Sequence, residues 1–314
     1  MNSRLEALIK RGYSKEDVMR LSSFTEVELD RISKLAFEHL KRGCSTTNNP
    51  YSIFIGGQPG SGKTVLSMNL KNELKNAIEI GIDNYRMYHP RYLEIEECIK
   101  EHWKDRKETV NDTPGNDIAD FTHFFAGAMT DKLIEMGKEN SYNMIIEWGM
   151  REPVGPLKCL RDLKKNNYRN IIVFVSTNKN ISYEACVLRS TIMRNSEHII
   201  RKVPKSFHDY SVETLPDSIN VIYMNGFEEN IIDYMCIVDR KNNELWNNNH
   251  IELPGKIFKN NLENDNTKSN NELLSIKTNK EEMIGLKEQI QEIETLKSII
   301  ILNPEVISDK HVIK

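Results

Sequence analysis

Apolar and polar positions follow two rhythms along this 314-residue chain. From residue 14 to 42, Val18, Leu21, Leu29, Ile32, Leu35, Ala36 and Leu40 recur at the spacing of amphipathic helices, which predicts a helical N-terminal lead-in over residues 1–50. Tyr51 to Ile55 reads as a short buried strand running into a glycine-rich turn, and a helical pattern follows through Leu74. Further apolar runs at Ala77–Ile82, Asn143–Glu147, Asn170–Ser176 and Asn220–Met224 are separated by stretches long enough for helices. Strands that alternate with helices pair in parallel through right-handed crossovers. The reading is therefore a three-layer α/β core over residues 51–240 with a mostly parallel central sheet.

The pattern changes after about Arg240. Between Lys241 and Asn271, 11 of 31 residues are Asn, and no aromatic residue follows Phe258, so the segment has little to bury and reads as a polar linker. Beyond it, Leu286, Ile290, Ile293, Leu296 and Ile300 share one face between Lys280 and Leu302, with Pro304 as a stop. Residues 241–314 are thus expected to be a linker and a helical C-terminal tail, its apolar face docking on the chain's own core or, as the alternative, on a partner.

Composition narrows the functional classes. A chain with 39% hydrophobic and 28% charged residues folds in water, and its net charge of −3 offers no general attraction to nucleic acid or to an anionic membrane. Neither is expected as a partner, and any anionic ligand has to be caught locally. Cys44, Cys98, Cys159, Cys186 and Cys236 include no CxxC pair, which argues against a disulfide framework or a zinc site. No run reaches the roughly 18 apolar residues of a membrane helix. A cytoplasmic location is the expectation.

Local capture of an anion has a clear candidate. Gly57-Gln58-Pro59-Gly60-Ser61-Gly62-Lys63-Thr64 satisfies G-x-x-x-x-G-K-[ST] between a predicted strand and a predicted helix, the context that makes the motif a phosphate loop. Its glycines let backbone N–H groups turn inward around a β-phosphate. Lys63 adds a cation toward the β- and γ-phosphates, and Thr64 offers a hydroxyl to Mg²⁺. ATP or GTP binding follows. Asp83 closes the next predicted strand, at the edge of the sheet where open α/β folds place ligands. From there it can take a proton from an acceptor hydroxyl, coordinate Mg²⁺, or simply cap the following helix, and the residues alone leave these roles open.

Two further groups carry possible chemistry. Glu147 ends an apolar strand, where a carboxylate needs a partner, and Arg151 four positions later or a hydroxyl-rich substrate supplies one. Arg189, Arg194 and Arg201 lie in a polar stretch that reads either as a lid closing over a γ-phosphate or as a solvated helix face. His89 and His208 lack His or Cys companions at ligand spacing and are expected to shape a turn or to support a neighbouring site residue rather than to bind a metal.

The ordered set resembles the zeta toxin family: the phosphate loop, then Ile82-Asp83-Asn84-Tyr85-Arg86 with His89-Pro90, Phe125-Ala126-Gly127-Ala128-Met129, Asn143-Met144-Ile145-Ile146-Glu147 with Arg151, and Arg201-Lys202-Val203-Pro204-Lys205 with His208-Asp209. The similarity spans roughly Ile53 to Tyr223. It implies a P-loop kinase fold and an enzyme that uses ATP and Mg²⁺ to phosphorylate the 3'-hydroxyl of the sugar in UDP-N-acetylglucosamine. Such an enzyme is a toxin against cell-wall synthesis, held inactive by a small antitoxin. By the same resemblance Asp83 matches the catalytic base and Lys63 the phosphate-loop lysine. Glu147 and Arg151 match the substrate pair, Asp131 a sugar contact, and Arg189 and Arg201 the arginines over the transferring phosphate.

The chain departs from the family pattern at Gly81, where many relatives carry an acidic or amide side chain. It departs again at Trp148-Gly149-Met150, where Gly-Thr is frequent. The indole is expected to pack as core rather than to reshape the acceptor pocket. Two alternatives accompany the leading reading: a kinase for another hydroxyl acceptor such as a different nucleotide sugar or an antibiotic, and a nucleotide-dependent switch that phosphorylates nothing.

Overall fold

The computed structural model describes residues 3–192, 199 and 202–264. Three helices open the chain, α1 (Ser3–Lys10), α2 (Lys15–Leu21) and α3 (Glu26–Leu40). Ser14 caps α2, and Thr25 and Glu28 form a reciprocal capping box at α3, so each start is written in side chains that accept the first orphan N–H groups. Then come β1 (Tyr51–Gly56), α4 (Lys63–Leu74), β2 (Ile78–Gly81), a 3₁₀ turn (Ile82–Tyr88), α5 (Tyr92–His102), α6 (Pro114–Phe121), α7 (His123–Glu139), β3 (Met144–Glu147) and α8 (Val154–Lys165). The remaining elements are β4 (Arg169–Val175), α9 (Lys179–Ile192), α10 (Lys205–Glu228), β5 (Tyr234–Val238), β6 (Glu244–Asn247) and α11 (Pro254–Glu263).

The strands form one sheet in the order β2-β3-β1-β4-β5-β6, parallel except for β6, which runs antiparallel to β5. Both faces are covered. Phe54, Ile80, Ile146, Phe174 and Ile237 point into the larger cluster with α3, α7, α8, α10 and α11, while Ile53, Ile55, Ile145, Val175 and Val238 point to the other face, against Leu66 of α4. That alternation is the period of two a strand imposes, and it yields the three layers expected for a P-loop kinase fold.

The fifth apolar run, Asn220–Met224, is not a strand. It lies within α10, where Leu215, Ile219 and Ile222 are buried at helical spacing. The fifth parallel strand is Tyr234–Val238. Residues 244–263 are likewise not a linker, because β6 extends the sheet and α11 packs on it through Trp246, Phe258 and Leu262, all buried in the main core. The core therefore runs past residue 240. The predicted helix between Lys280 and Leu302 lies outside the described residues.

The first 50 residues are divided between two packing units. α3 joins the main core, whereas α1 and α2 share a separate apolar cluster with α5 and α6, built from Leu8, Val18, Leu21, Ile95, Ile99, Trp103, Ile118 and Phe121. Fully buried Asp117 ties that cluster together. It pairs with Arg11 at 2.8 Å and accepts from Tyr13 Oη at 2.7 Å and Trp103 Nε1 at 2.6 Å. Asp117→Ala is expected to destabilise the protein by about 3 kcal/mol, because it leaves the buried Tyr13 and Trp103 donors without their acceptor, while Arg11 keeps Asp120 as a partner. Urea unfolding checks this, and a loss under about 1 kcal/mol, the size of a surface ion pair, would show that the network contributes little.

Candidate functional site

The loop between β1 and α4 is shaped by its neighbours. Gly60 has φ +74°, and a Cβ there would lie 1.9 Å from Ser182 O on α9, so only glycine permits the helix to seat against the loop. Thr177 Oγ1 donates to Ser61 O at 2.8 Å, Gln58 Nε2 donates back to Thr177 O, and Arg240 Nη1 donates to Gly60 O at 2.6 Å. The Lys63 ammonium donates to Gly57 O and Gln58 O at 3.0 Å each. With these carbonyls held, the loop presents the first turn of α4, whose N–H groups precede any intrahelical acceptor and attract an anion.

Three predicted acids and bases converge beside this loop. Glu147 ends β3 in register with Ile55 of β1 on one side and Gly81 of β2 on the other. Its Oε2 accepts from Thr64 Oγ1 at 3.2 Å. Burial raises its pKa, the Lys63 charge opposes the rise and Asp83 adds to it. Lys63 responds in the opposite sense: burial pushes its pKa down, while Glu147 and Asp83 support the ammonium. Lys63 and Glu147 thus each favour the charged form of the other at the C-terminal edge of the sheet, against burial and, for Glu147, against Asp83.

Asp83 lies in the 3₁₀ turn directly after β2, its side chain 46% exposed. Buried Arg86, three residues on, donates from Nε to Asp83 Oδ1 at 2.9 Å and from Nη1 to Ala119 O at 2.9 Å. The arginine anchors the acid to α6 and leaves it facing solvent on the loop's side. A Cβ at Gly81 would stand 3.5 Å from Asn84 Nδ2 and 3.7 Å from Glu147 Cβ, so the family's missing side chain would have entered this same space.

Arg189 also reaches the group. Ser182, Cys186 and Arg189 share one face of α9; the first two border Gly60, and the charge of Arg189 acts on both Lys63 and Glu147. Arg194 and Arg201 lie outside the described residues.

Two predicted residues are placed elsewhere. Glu147 and Arg151 do not form a pair: Met150 adopts a left-handed conformation (φ 52°), its carbonyl held by Ser218 Oγ at 2.7 Å, and the turn carries Arg151 to α10. There the guanidinium lies 4.2 Å from the Phe207 ring centroid and 5.8 Å from that of Tyr210. Asp131 is exposed on α7 and its charge neighbour is Lys158 of α8, so it stands apart from the Lys63–Asp83–Glu147 group.

Trp148 packs as core, stacked on Phe54 at 6.2 Å and bordering Gly155. The histidines support neighbouring elements. His208 Nε2 meets Ser182 Oγ at 2.8 Å, joining α10 to α9, and His89 Nδ1 accepts from Arg91 N at 3.1 Å between Phe24 and Phe125, where burial lowers its pKa to about 4.

Mg²⁺ takes oxygen ligands and with nucleotides needs only one or two from the protein. Thr64 Oγ1 and Glu147 Oε2 are such a pair, so the residues present fit the ion. Arg86, Thr177, Ser182, Phe207 and Arg240 complete the surroundings together with His208. The sequence reading contained Arg86 within the Asp83 motif and His208 within the last of the ordered motifs, and gave no place to the other four.

Known proteins share this chain's sequence pattern and fold. The sequence model of the Zeta toxin family matches residues 36–251. Toxin PezT of Streptococcus pneumoniae serotype 4 is 28% identical over 236 residues, 72% of this chain and 85% of PezT. Toxin zeta of Streptococcus agalactiae is 27% identical over 214 residues, 67% of this chain and 69% of that toxin. Among solved structures, one from the characterisation of the PezAT chromosomal toxin-antitoxin system of S. pneumoniae superposes with a TM-score of 0.66 at 21% identity, covering 88% of this chain and all of that one. No helix among the described residues is long and apolar enough to cross a membrane.

Proposed function

The chain belongs to the zeta toxin family, and from that premise we propose that it is the toxin of a toxin-antitoxin pair, an ATP-dependent kinase that phosphorylates the 3'-hydroxyl of the sugar in UDP-N-acetylglucosamine. The observation that carries the reading is the meeting of Lys63, Asp83 and Glu147 beside a phosphate loop, since a switch that only hydrolyses nucleotide needs no base on the acceptor side. The acceptor oxygen attacks the γ-phosphorus, its proton passes to the Asp83 carboxylate, the bond from phosphorus to the β-bridging oxygen breaks, and ADP leaves.

Lys63 and Arg189 offset the negative charge on the transferring group. Thr64 and Glu147 would hold Mg²⁺, which would supply further positive charge to the phosphates. Glu147 uses one oxygen for Thr64, and we assign the other to the acceptor's hydroxyls; Arg151 meets the acceptor farther along, with Asp131 at the outer rim. The antitoxin assignment rests on the relatives' names and on the PezAT structure. The alternatives of another hydroxyl acceptor or of hydrolysis alone are outcomes of the same test.

Mass spectrometry of UDP-N-acetylglucosamine after incubation with the protein and MgATP is expected to show the gain of one phosphoryl group. Unmodified nucleotide sugar alongside accumulated ADP would overturn the acceptor assignment.

A further inference from the structure

We infer that His208 is a positioning residue for the terminal phosphate: through Ser182 it sets the rotation of α9 against the phosphate loop, and with it the place of Arg189. The inference rests on the part of the proposed function that seats MgATP in the loop with Arg189 acting on its γ-phosphate.

α9 is the wall against which the loop leans. Its Ser182 O and Cys186 Sγ lie 1.9 Å and 2.8 Å from the point a Cβ on Gly60 would occupy, so the first two turns of the helix touch loop backbone. Arg189 follows Ser182 by seven residues, two turns or about 10 Å along the same face. A helix is stiff over two turns. Any rotation of the wall at Ser182 is therefore carried to the guanidinium, whose charge acts on Lys63 and Glu147.

His208 fixes that rotation from α10. Ser182 and the imidazole are both buried, and Nε2 lies 2.8 Å from Ser182 Oγ. The hydroxyl has one proton, which it gives to Lys179 O at 3.1 Å, so toward the ring it accepts and Nε2 donates. Burial lowers the pKa of the ring; Asp209 opposes the fall, and Lys205 and Lys63 add to it, which leaves a neutral imidazole with a defined donor. α10 is itself held in place. The Lys205 and Ser206 N–H groups of its first turn donate to Val110 O at 3.3 Å and to Asn111 Oδ1 at 3.0 Å. A chain of contacts thus runs from the segment before α6 through α10 and α9 to the phosphate loop.

The competing role for the contact is packing alone, which changes stability without favouring one nucleotide over another. Dissociation constants for MgATP and MgADP, which need no acceptor, are measured for the parent protein, His208→Leu, His208→Gln, Ser182→Ala, Arg189→Ala and the double variant Arg189→Ala/His208→Leu. Arg189→Ala is expected to weaken MgATP by about tenfold relative to MgADP, the size of one hydrogen bond to a charged group. His208→Leu and Ser182→Ala should each reproduce most of that selective loss. His208→Gln keeps an amide donor near the position of Nε2 and should recover it, and His208→Leu should add nothing once Arg189 is gone. Should His208→Leu fail to fold, Ser182→Ala carries the same comparisons. Equal changes for the two nucleotides in His208→Leu and Ser182→Ala, no recovery with glutamine, no selective loss in Arg189→Ala, or a full further loss in the double variant would each overturn the inference while leaving the phosphate loop and its base in place. A parent protein that binds neither nucleotide would overturn both it and the proposed kinase.

Discussion

Asp83→Asn is expected to lower kcat for phosphate transfer by about 10²–10⁴-fold, the usual contribution of a positioned general base, with the Kd for MgATP essentially unchanged. The split follows from the geometry. Asp83 is held by Arg86 on the β2 side, while the donors that grip phosphate belong to the loop and α4. An asparagine oxygen still accepts from Arg86 Nε, so the 3₁₀ turn has no reason to reorganise, but the amide cannot take the acceptor's proton. Nucleotide affinity by calorimetry and single-turnover transfer measured on the same preparation check it. Turnover within about threefold of the parent enzyme would remove Asp83 from the chemistry, since even the weakest general-base effects are far larger. A drop in ATP affinity matching the drop in kcat would instead make it a metal or phosphate ligand.

The phosphate loop and the first four strands are legible in the sequence because each is local: a contiguous motif, or an apolar run of four to seven residues flanked by helix. β1, β2, β3 and β4 fall within a residue or two of the expected runs. The fifth strand is not, because Asn220–Met224 and Tyr234–Val238 are both short apolar runs, and only the burial of Leu215 and Ile219 one turn apart shows that the first belongs to a helix. Missing β5 also hid Arg240, which follows that strand's end and donates to Gly60 O of the phosphate loop. The Asn-rich composition after residue 241 concealed β6 and α11, whose large apolar anchors are few: Trp246 on the strand, and Phe258 and Leu262 one turn apart on the helix.

The site divides in the same way. A carboxylate ending an apolar strand called for a partner, either Arg151 four positions on or a hydroxyl-rich substrate, but a left-handed residue at Met150 precedes the turn that takes Arg151 to Phe207 of α10, and nothing in a methionine announces that conformation. The partner Glu147 takes, Thr64, is 83 residues away in sequence. It is brought near by parallel pairing of β1 with β3, a consequence of topology that no local window contains.

Lys63→Ala is expected to weaken nucleotide binding and to lower transfer by about 10²–10³-fold at saturating ATP, the size seen when one preorganised donor to a developing charge is lost. Lys63→Arg should not restore it. The ammonium fits between Gly57 O and Gln58 O, 3.0 Å from each, a seat for a compact cation rather than a planar fork. The lysine also supplies the largest charge that opposes the rise in Glu147's pKa. Without it, burial and Asp83 both favour the protonated acid, so Glu147 takes up its proton at a higher pH than in the parent. The acid limb of any residual activity in Lys63→Ala should therefore shift toward neutral pH, and a pH profile of kcat/KM measures that shift. An unmoved limb would mean that Lys63 and Glu147 do not govern each other's charge, and a turnover within tenfold of the parent would mean that the loop lysine does not bear on the transferring phosphate.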